Sequence, residues 1–326
     1  MTYVVTLVSD PGFPSLTEDF IRRAAEVLPH AGEAQWLGKG VAADIPFTPD
    51  EPADLRALWT AVRAALGPAA LDVILQPVEG RRKKLLLADM DSTIIRQECV
   101  DELAAEIGKK PQVAAITERA MRGEIAFEPA LRERVALFKG LHPHTIPRVL
   151  SKKISLTPGA RVLVQTMRAH GAHTALVSGG FTLFAAPVAE KVGFDHVQAN
   201  ELLLGEDGRF SGLLAEPVLG ERAKLETLLA LREGRGLGPS ETLAVGDGAN
   251  DIPMLREAGL GIAFRGKPAV AEAAQARIDH ADLTALLYAQ GYRQEEFFAE
   301  ARAQLNPSDW KRKYGAMEKA HERTRL

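Results

Sequence analysis

The chain has 326 residues, of which 25% are charged and 46% hydrophobic, and a formal net charge of −3. That balance is ordinary for a globular protein, leaves room for two domains plus an insertion, and offers no overall basic footprint for nucleic acid. No basic segment with an apolar core opens the chain, no apolar run approaches the ~18 residues of a membrane span, and Cys99 is a single cysteine with no disulfide partner, so the expectation is a cytoplasmic protein with no membrane partner.

Residues 1 to about 78 read as strand, helix, two short strands around Gly38–Gly40, helix and strand. That β-α-β-β-α-β order predicts a ferredoxin-like α+β domain over residues 1–80. The basic stretch Glu79 to Lys84, "EGRRKK", reads as a solvated connection to the next domain. From Lys83 onward, "KKLLLAD", "HTALVSG", "TLAVGD" and "GLGIAF" alternate with helical segments, the spacing of a Rossmann-like parallel α/β sheet. The first two of these strands are separated by 83 residues, 90–172, far more than one crossover helix requires. Helical periodicity across them predicts a helical cap, about residues 97–157, inserted after the first strand. The segment 200–220 suggests a hairpin, and "LREGRGLGPSE" a loop with no strand leading into its glycines. After Tyr292 a polar extension, 293–326, carries "NPSDW" as a helix start.

The first strand ends in "ADMDST", which sets Asp89 and Asp91 beside each other, followed by the small hydroxyl residues Ser92 and Thr93. A calcium loop also begins Asp-x-Asp, but it needs Gly and Glu where this chain has Ile94 and Val100. The third strand ends in "VGDGANDIPML", with Asp247 and Asp251 four residues apart. Open α/β sheets place ligands beyond the carboxyl ends of their strands, so these carboxylates are expected to converge. They would repel strongly without a cation, and hard oxygen donors favour Mg²⁺. "VSGG", Val177 to Gly180, offers the Ser178 hydroxyl and backbone N–H groups to phosphate oxygens. Lys224 is a compact cation of the kind a site holding phosphate and carboxylates would need.

In this order "DMDST", "VSGG", a downstream lysine and "GDGAND" resemble the four motifs of the haloacid dehalogenase (HAD) superfamily phosphatases. Glu98, "RGEIAFEPALRERV" at Arg122 to Val135 and "ERAK" at Glu221 to Lys224 extend the resemblance, over about residues 83–290, to the phosphoserine phosphatases of that superfamily. Each motif is weak alone, and the ordered set is specific. The resemblance implies a HAD-like phosphatase domain over 81–292, and the N-terminal unit is similar to the ACT-like domain found ahead of some family members.

It further implies Asp89 as a nucleophile that becomes a phospho-aspartate, and Asp91 as the acid/base that protonates the leaving oxygen and then activates water. Mg²⁺ would be held by the Asp89 side chain, the Asp91 backbone carbonyl and Asp247, with Asp251 behind them orienting Lys224 or a metal-bound water. Ser178, Gly179, Lys224 and Asn250 would contact the phosphate side of the substrate, and Glu98 and Arg134 its ammonium and carboxylate. Met121 and Phe127 would be apolar cap contacts. The implied activity is Mg²⁺-dependent hydrolysis of O-phospho-L-serine, the last step of L-serine biosynthesis; amino-acid sensing or homodimer formation through the N-terminal unit is a separate expectation. Two alternatives stand beside it: hydrolysis or phosphoryl transfer on another small ester such as homoserine phosphate, or an amino-acid sensor with an inert hydrolase domain.

Overall fold

The computed structural model describes residues 1–50, 54–122, 124–220 and 222–299. The first unit contains β1 (Tyr3–Val8), α1 (Glu18–Ala25), β2 (Gln35–Gly38), β3 (Ala42–Phe47), α2 (Leu55–Leu66) and β4 (Asp72–Pro77). Its strands form an antiparallel sheet in the order β2-β3-β1-β4. Alternation along β1 explains its two faces: Val5 and Leu7 join the core under the two helices, while Val8, with Ile74 and Ala42, joins the core of the second unit. The sheet is therefore covered on both sides.

The second unit begins with β5 (Leu85–Ala88), followed by a cap of four helices: α3 (Cys99–Glu106), α4 (Lys110–Met121), α5 (Phe127–Ala136) and α6 (Thr145–Lys152). The cap is joined by a paired neck in which Ile95 bridges Leu156, Arg96 N donates to Ser155 O and Thr157 N to Ile94 O. The chain continues through α7 (Ala160–Ala169), β6 (His173–Phe181), α8 (Thr182–Val192) and β7 (His196–Asn200), and then the hairpin β8 (Leu202–Leu204) and β9 (Phe210–Leu214). It closes with α9 (Ala223–Gly234), β10 (Thr242–Gly246), α10 (Ile252–Glu257), β11 (Leu260–Phe264), α11 (Pro268–Ala273), β12 (Ala276–Ile278) and α12 (Ala285–Ala289). The parallel sheet runs β12-β11-β10-β5-β6-β7. From β5 the chain passes to β6 on one side and later to β10 on the other, and such a reversal of strand order opens a crevice at the carboxyl ends. The turns that follow β5, β6 and β10 are those carrying the aspartates and the Ser-Gly-Gly.

Two expectations need correction. The "EGRRKK" segment is not simply a solvated connection, because Arg81 and Lys83 alternate inward while Arg82 and Lys84 stay accessible. Arg81 forks onto both oxygens of Asp44 at 2.7 and 3.1 Å and also donates to Thr6 Oγ1 and Ala289 O, joining the two units. Lys83 donates to Gly80 O and Ser240 O, and burial pulls its ammonium down to about 8. The glycine-containing loop begins later than its composition suggests, since Leu231–Gly234 complete α9. The edge strands β7 and β12 carry no signal strong enough to be read from sequence; each is short and only partly buried. The "NPSDW" helix start and the rest of 300–326 lie outside the described residues.

The units share a second polar junction. Asp72, 3% exposed at the start of β4, accepts the backbone N–H groups of Asp279, His280 and Ala281 at 2.8–3.2 Å. Burial still raises its carboxyl, but those N–H groups oppose the shift. Removing the acceptor would leave several buried donors unpaired, so Asp72→Ala is expected to cost about 3 kcal/mol. Urea unfolding of the full chain measures this, and a loss under about 1 kcal/mol would show that water replaces the carboxylate there.

Candidate active site

At the carboxyl end of β5, Asp89 is 6% exposed and the chain enters a wide turn over Met90–Ile94. Met90 N donates to Asp89 Oδ1 at 2.7 Å, and Lys224 Nζ lies 2.6 Å from the same oxygen. Lys224 comes from the first turn of α9 and is 3% exposed, so its ammonium is turned into the site and away from solvent. Its ammonium also contacts Asp251 Oδ1 at 2.5 Å. Burial opposes the charge on Lys224, but Asp251 and Asp89 outweigh it and the pKa is raised. Asp251, fully buried, accepts Asp247 N and Gly248 N on its other oxygen at 3.1 and 2.9 Å. Both Asp251 oxygens are therefore occupied, and it holds the turn and the lysine in place.

This close approach explains the glycine that ends β10. A Cβ on Gly246 would lie 2.3 Å from Asp251 Cγ, inside any permitted contact. One on Gly248 would sit 2.4 Å from Asn250 Oδ1, placing the Asn250 amide over the turn.

Oxygens of Asp89, Asp247 and Asp251 lie within 4.8 Å of one another. Three carboxylates face one ammonium, an excess of two negative charges if all are ionised. Burial first, and then neighbouring carboxylates, push Asp247 up to about 7 and Asp89 well above the usual carboxylate range. Such strain is what a divalent cation relieves, and an all-oxygen donor set suits a hard ion. The residues thus fit a divalent metal: Asp89 Oδ2 bears neither the Lys224 nor the Met90 contact, and among the described residues the Asp247 carboxylate accepts just one long bond, from Thr93 Oγ1 at 3.4 Å.

Asp91 stands outside that cluster. Its Oδ1 accepts Cys99 N at 2.9 Å, and Ser178 Oγ lies 3.4 Å from Oδ2. Burial, then the charge of Glu98, push its carboxyl up to about 6. Two carboxylates two residues apart are thus separated into a polar cluster around Lys224 and a site under the cap. Ser178 is 1% exposed and accepts Gly180 N at 2.9 Å, while Asn200 Nδ2 holds Gly179 O at 3.0 Å. A Cβ on Gly179 would meet Phe127 Cζ at 3.2 Å, so this cap ring lies directly over the Ser-Gly-Gly turn.

Glu98 stands at the N-cap position of α3 without bonding the helix through its side chain; its Oε1 instead accepts Ser92 Oγ at 2.6 Å. Arg134, on α5, donates Nε to Ala130 O; burial lowers its pKa, while Glu98, Asp101 and Asp91 attract its charge. Met121 closes α4, but its side chain lies outside the described residues. Sequence reasoning gave no role to Ser92, Thr93 or Asn200, nor to the Cys99 N–H. Ser92 and Thr93 stand inside the aspartate motif and could have been found there; Asn200 and the Cys99 amide act through backbone geometry that no local pattern announces.

Residues 86–256 match the family model of haloacid dehalogenase-like hydrolases. The chain is 44% identical over 216 residues to a probable phosphoserine phosphatase of Schizosaccharomyces pombe, a match covering 66% of this chain and 72% of the relative. It resembles a HAD-family hydrolase of Salmonella enterica serovar Typhi with a TM-score of 0.77 at 26% identity, over 88% of this chain and 97% of the other. A phosphoserine phosphatase solved as a phospho-aspartyl intermediate analogue aligns with a TM-score of 0.59 at 40% identity, over 64% of this chain and 98% of its own. The converging strand ends, the buried aspartate–lysine cluster and these matches lead to one conclusion: the chain belongs to the phosphoserine phosphatase family of the haloacid dehalogenase-like hydrolases.

Proposed function

We propose that the chain hydrolyses O-phospho-L-serine to L-serine and phosphate with Mg²⁺, the last step of L-serine biosynthesis. The observation that carries this reading is the division between Asp89 and Asp91. Asp89 is held at one oxygen by Lys224 and Met90 N, which fixes the carboxylate for in-line attack on phosphorus. Asp91, with its carboxyl pushed up to about 6 by burial and Glu98, is suited to hold a proton for the serine oxygen as the ester bond breaks. The same carboxylate, once ionised, takes a proton from the water that cleaves the phospho-aspartate. A transferase working on a good leaving group has less need of this second carboxylate, which favours an ester phosphatase.

The Asp89 side chain, Asp247 and the Asp91 backbone carbonyl would hold Mg²⁺. When bound, it supplies charge neutralisation that lets an anionic nucleophile approach an anionic phosphate. Lys224 offers the remaining positive charge; Ser178, Gly179 and Asn250 fit phosphoryl contacts; Asp251 keeps Lys224 and the turn in register. Glu98 and Arg134 would read the ammonium and carboxylate, Arg134 through the two-pronged geometry of its guanidinium, with Phe127 and Met121 closing the apolar side.

Phosphate release from O-phospho-L-serine is expected with Mg²⁺ and is expected to vanish with EDTA. An equal rate on phosphate esters lacking the amino group, or an EDTA-insensitive rate, would sink the reading. We assign domains at 1–80 and 81–292 with an extension from 293, and a cytoplasmic setting, consistent with one buried free thiol and no helix among the described residues long and apolar enough to cross a membrane. The homodimer remains a proposal that sedimentation of the full chain decides.

A further inference from the structure

Three non-glycine residues among those described take a positive φ, and one of them is Ser92, at φ 54° and ψ 1°. An L residue is disfavoured there, whereas glycine adopts this conformation freely. The turn's backbone bonds do not require a serine: Ser92 N donates to Gln97 O, and Ile95 N donates to Met90 O. What the side chain adds is its hydroxyl, 2.6 Å from Glu98 Oε1. A strained residue kept at an active-site turn invites the question of what its side chain holds in place.

Electrostatics gives the answer. Glu98 raises the Asp91 carboxyl, which means the two carboxylates repel. Glu98 is exposed and has several rotatable bonds, so repulsion and side-chain entropy would both favour swinging it toward solvent. A hydroxyl donor on a carboxylate forms a charge-assisted bond strong enough to select one rotamer. Because Ser92 uses Oε1, Oε2 is left for an incoming cation.

We propose that Ser92 is a positioning residue: its hydroxyl holds Glu98 ready for the substrate's ammonium group and so sets the preference for amino-bearing phosphate esters. This rests on the reading of Glu98 as the ammonium partner.

The test compares wild type, Ser92→Ala, Ser92→Gly and Glu98→Gln on O-phospho-L-serine and on 3-phosphooxypropanoate, the same ester without the amino group. Loss of one hydrogen bond to an accessible carboxylate is expected to lower the kcat/KM ratio between the two substrates about fivefold in both Ser92 variants, carried by KM for O-phospho-L-serine more than by kcat. Thermal melts identify any variant that fails to fold; Ser92→Gly relieves the strained backbone and is expected to melt no lower than Ser92→Ala. If Glu98→Gln leaves the substrate ratio unchanged, the assignment of Glu98 falls and this proposal with it. If Glu98→Gln collapses the ratio while Ser92→Ala keeps it, the Glu98 assignment stands and the role of Ser92 is overturned. A loss confined to Ser92→Gly would place the effect in the backbone and overturn the proposal as well.

Discussion

Asp89→Asn is expected to lower turnover of O-phospho-L-serine by about 10⁴-fold or more, because an amide cannot form the acyl phosphate that splits hydrolysis into two steps. The same substitution is expected to leave the metal-free protein at least as stable as wild type. Asp89 is 6% exposed, and burial together with Asp251 and Asp247 penalises its charge. An asparagine oxygen can still accept the Lys224 and Met90 donors now 2.6 and 2.7 Å from Asp89 Oδ1, while one of three crowded negative charges disappears. Loss of function without loss of stability marks a group retained for chemistry. Phosphate release and a thermal melt on one preparation measure both. Activity within tenfold of wild type would eliminate Asp89 as the attacking group, and a melt many degrees lower would show that its charge is structural.

How far the sequence exposes this arrangement depends on the kind of signal each part carries. Apolar runs ending in Asp, Ser-Gly-Gly or Gly-Asp-Gly identify β5, β6 and β10, because a strand buried on both faces needs a nearly continuous apolar segment and its functional turn breaks that run abruptly. The short edge strands β7 and β12 lack that contrast. Charge patterns mislead more readily: "EGRRKK" has the composition of a solvated linker, yet Arg81 is drawn in by Asp44, which lies 37 residues earlier. A buried ion pair depends on a partner that folding supplies, and no local window contains it. The site shows the same limit. Lys224 is recognisable by its order among the motifs, but its contact with both Asp89 and Asp251 requires α9 to dock against strands whose order in the sheet differs from their order in the chain.

Lys224 is where stability and metal binding meet. Replacing it with methionine keeps the length of the side chain but leaves Asp89 and Asp251 without their shared counter-ion. Breaking a buried pair from one side costs about 3–5 kcal/mol because the surviving charge stays desolvated. Lys224→Met is therefore expected to destabilise the metal-free protein by about that amount at neutral pH. Part of the cost should return with Mg²⁺, since a divalent cation beside Asp89 and Asp247 supplies positive charge to the same cluster and binds the folded state alone. The rise in melting temperature between EDTA and saturating Mg²⁺ should then be larger in Lys224→Met than in wild type, while turnover stays low because phosphate and nucleophile have lost the ammonium between them. Paired melts in EDTA and Mg²⁺ test this coupling. An equal Mg²⁺ increment in both proteins would mean that the cation and the lysine act on separate charges, and that the carboxylates near Lys224 do not form one electrostatic unit.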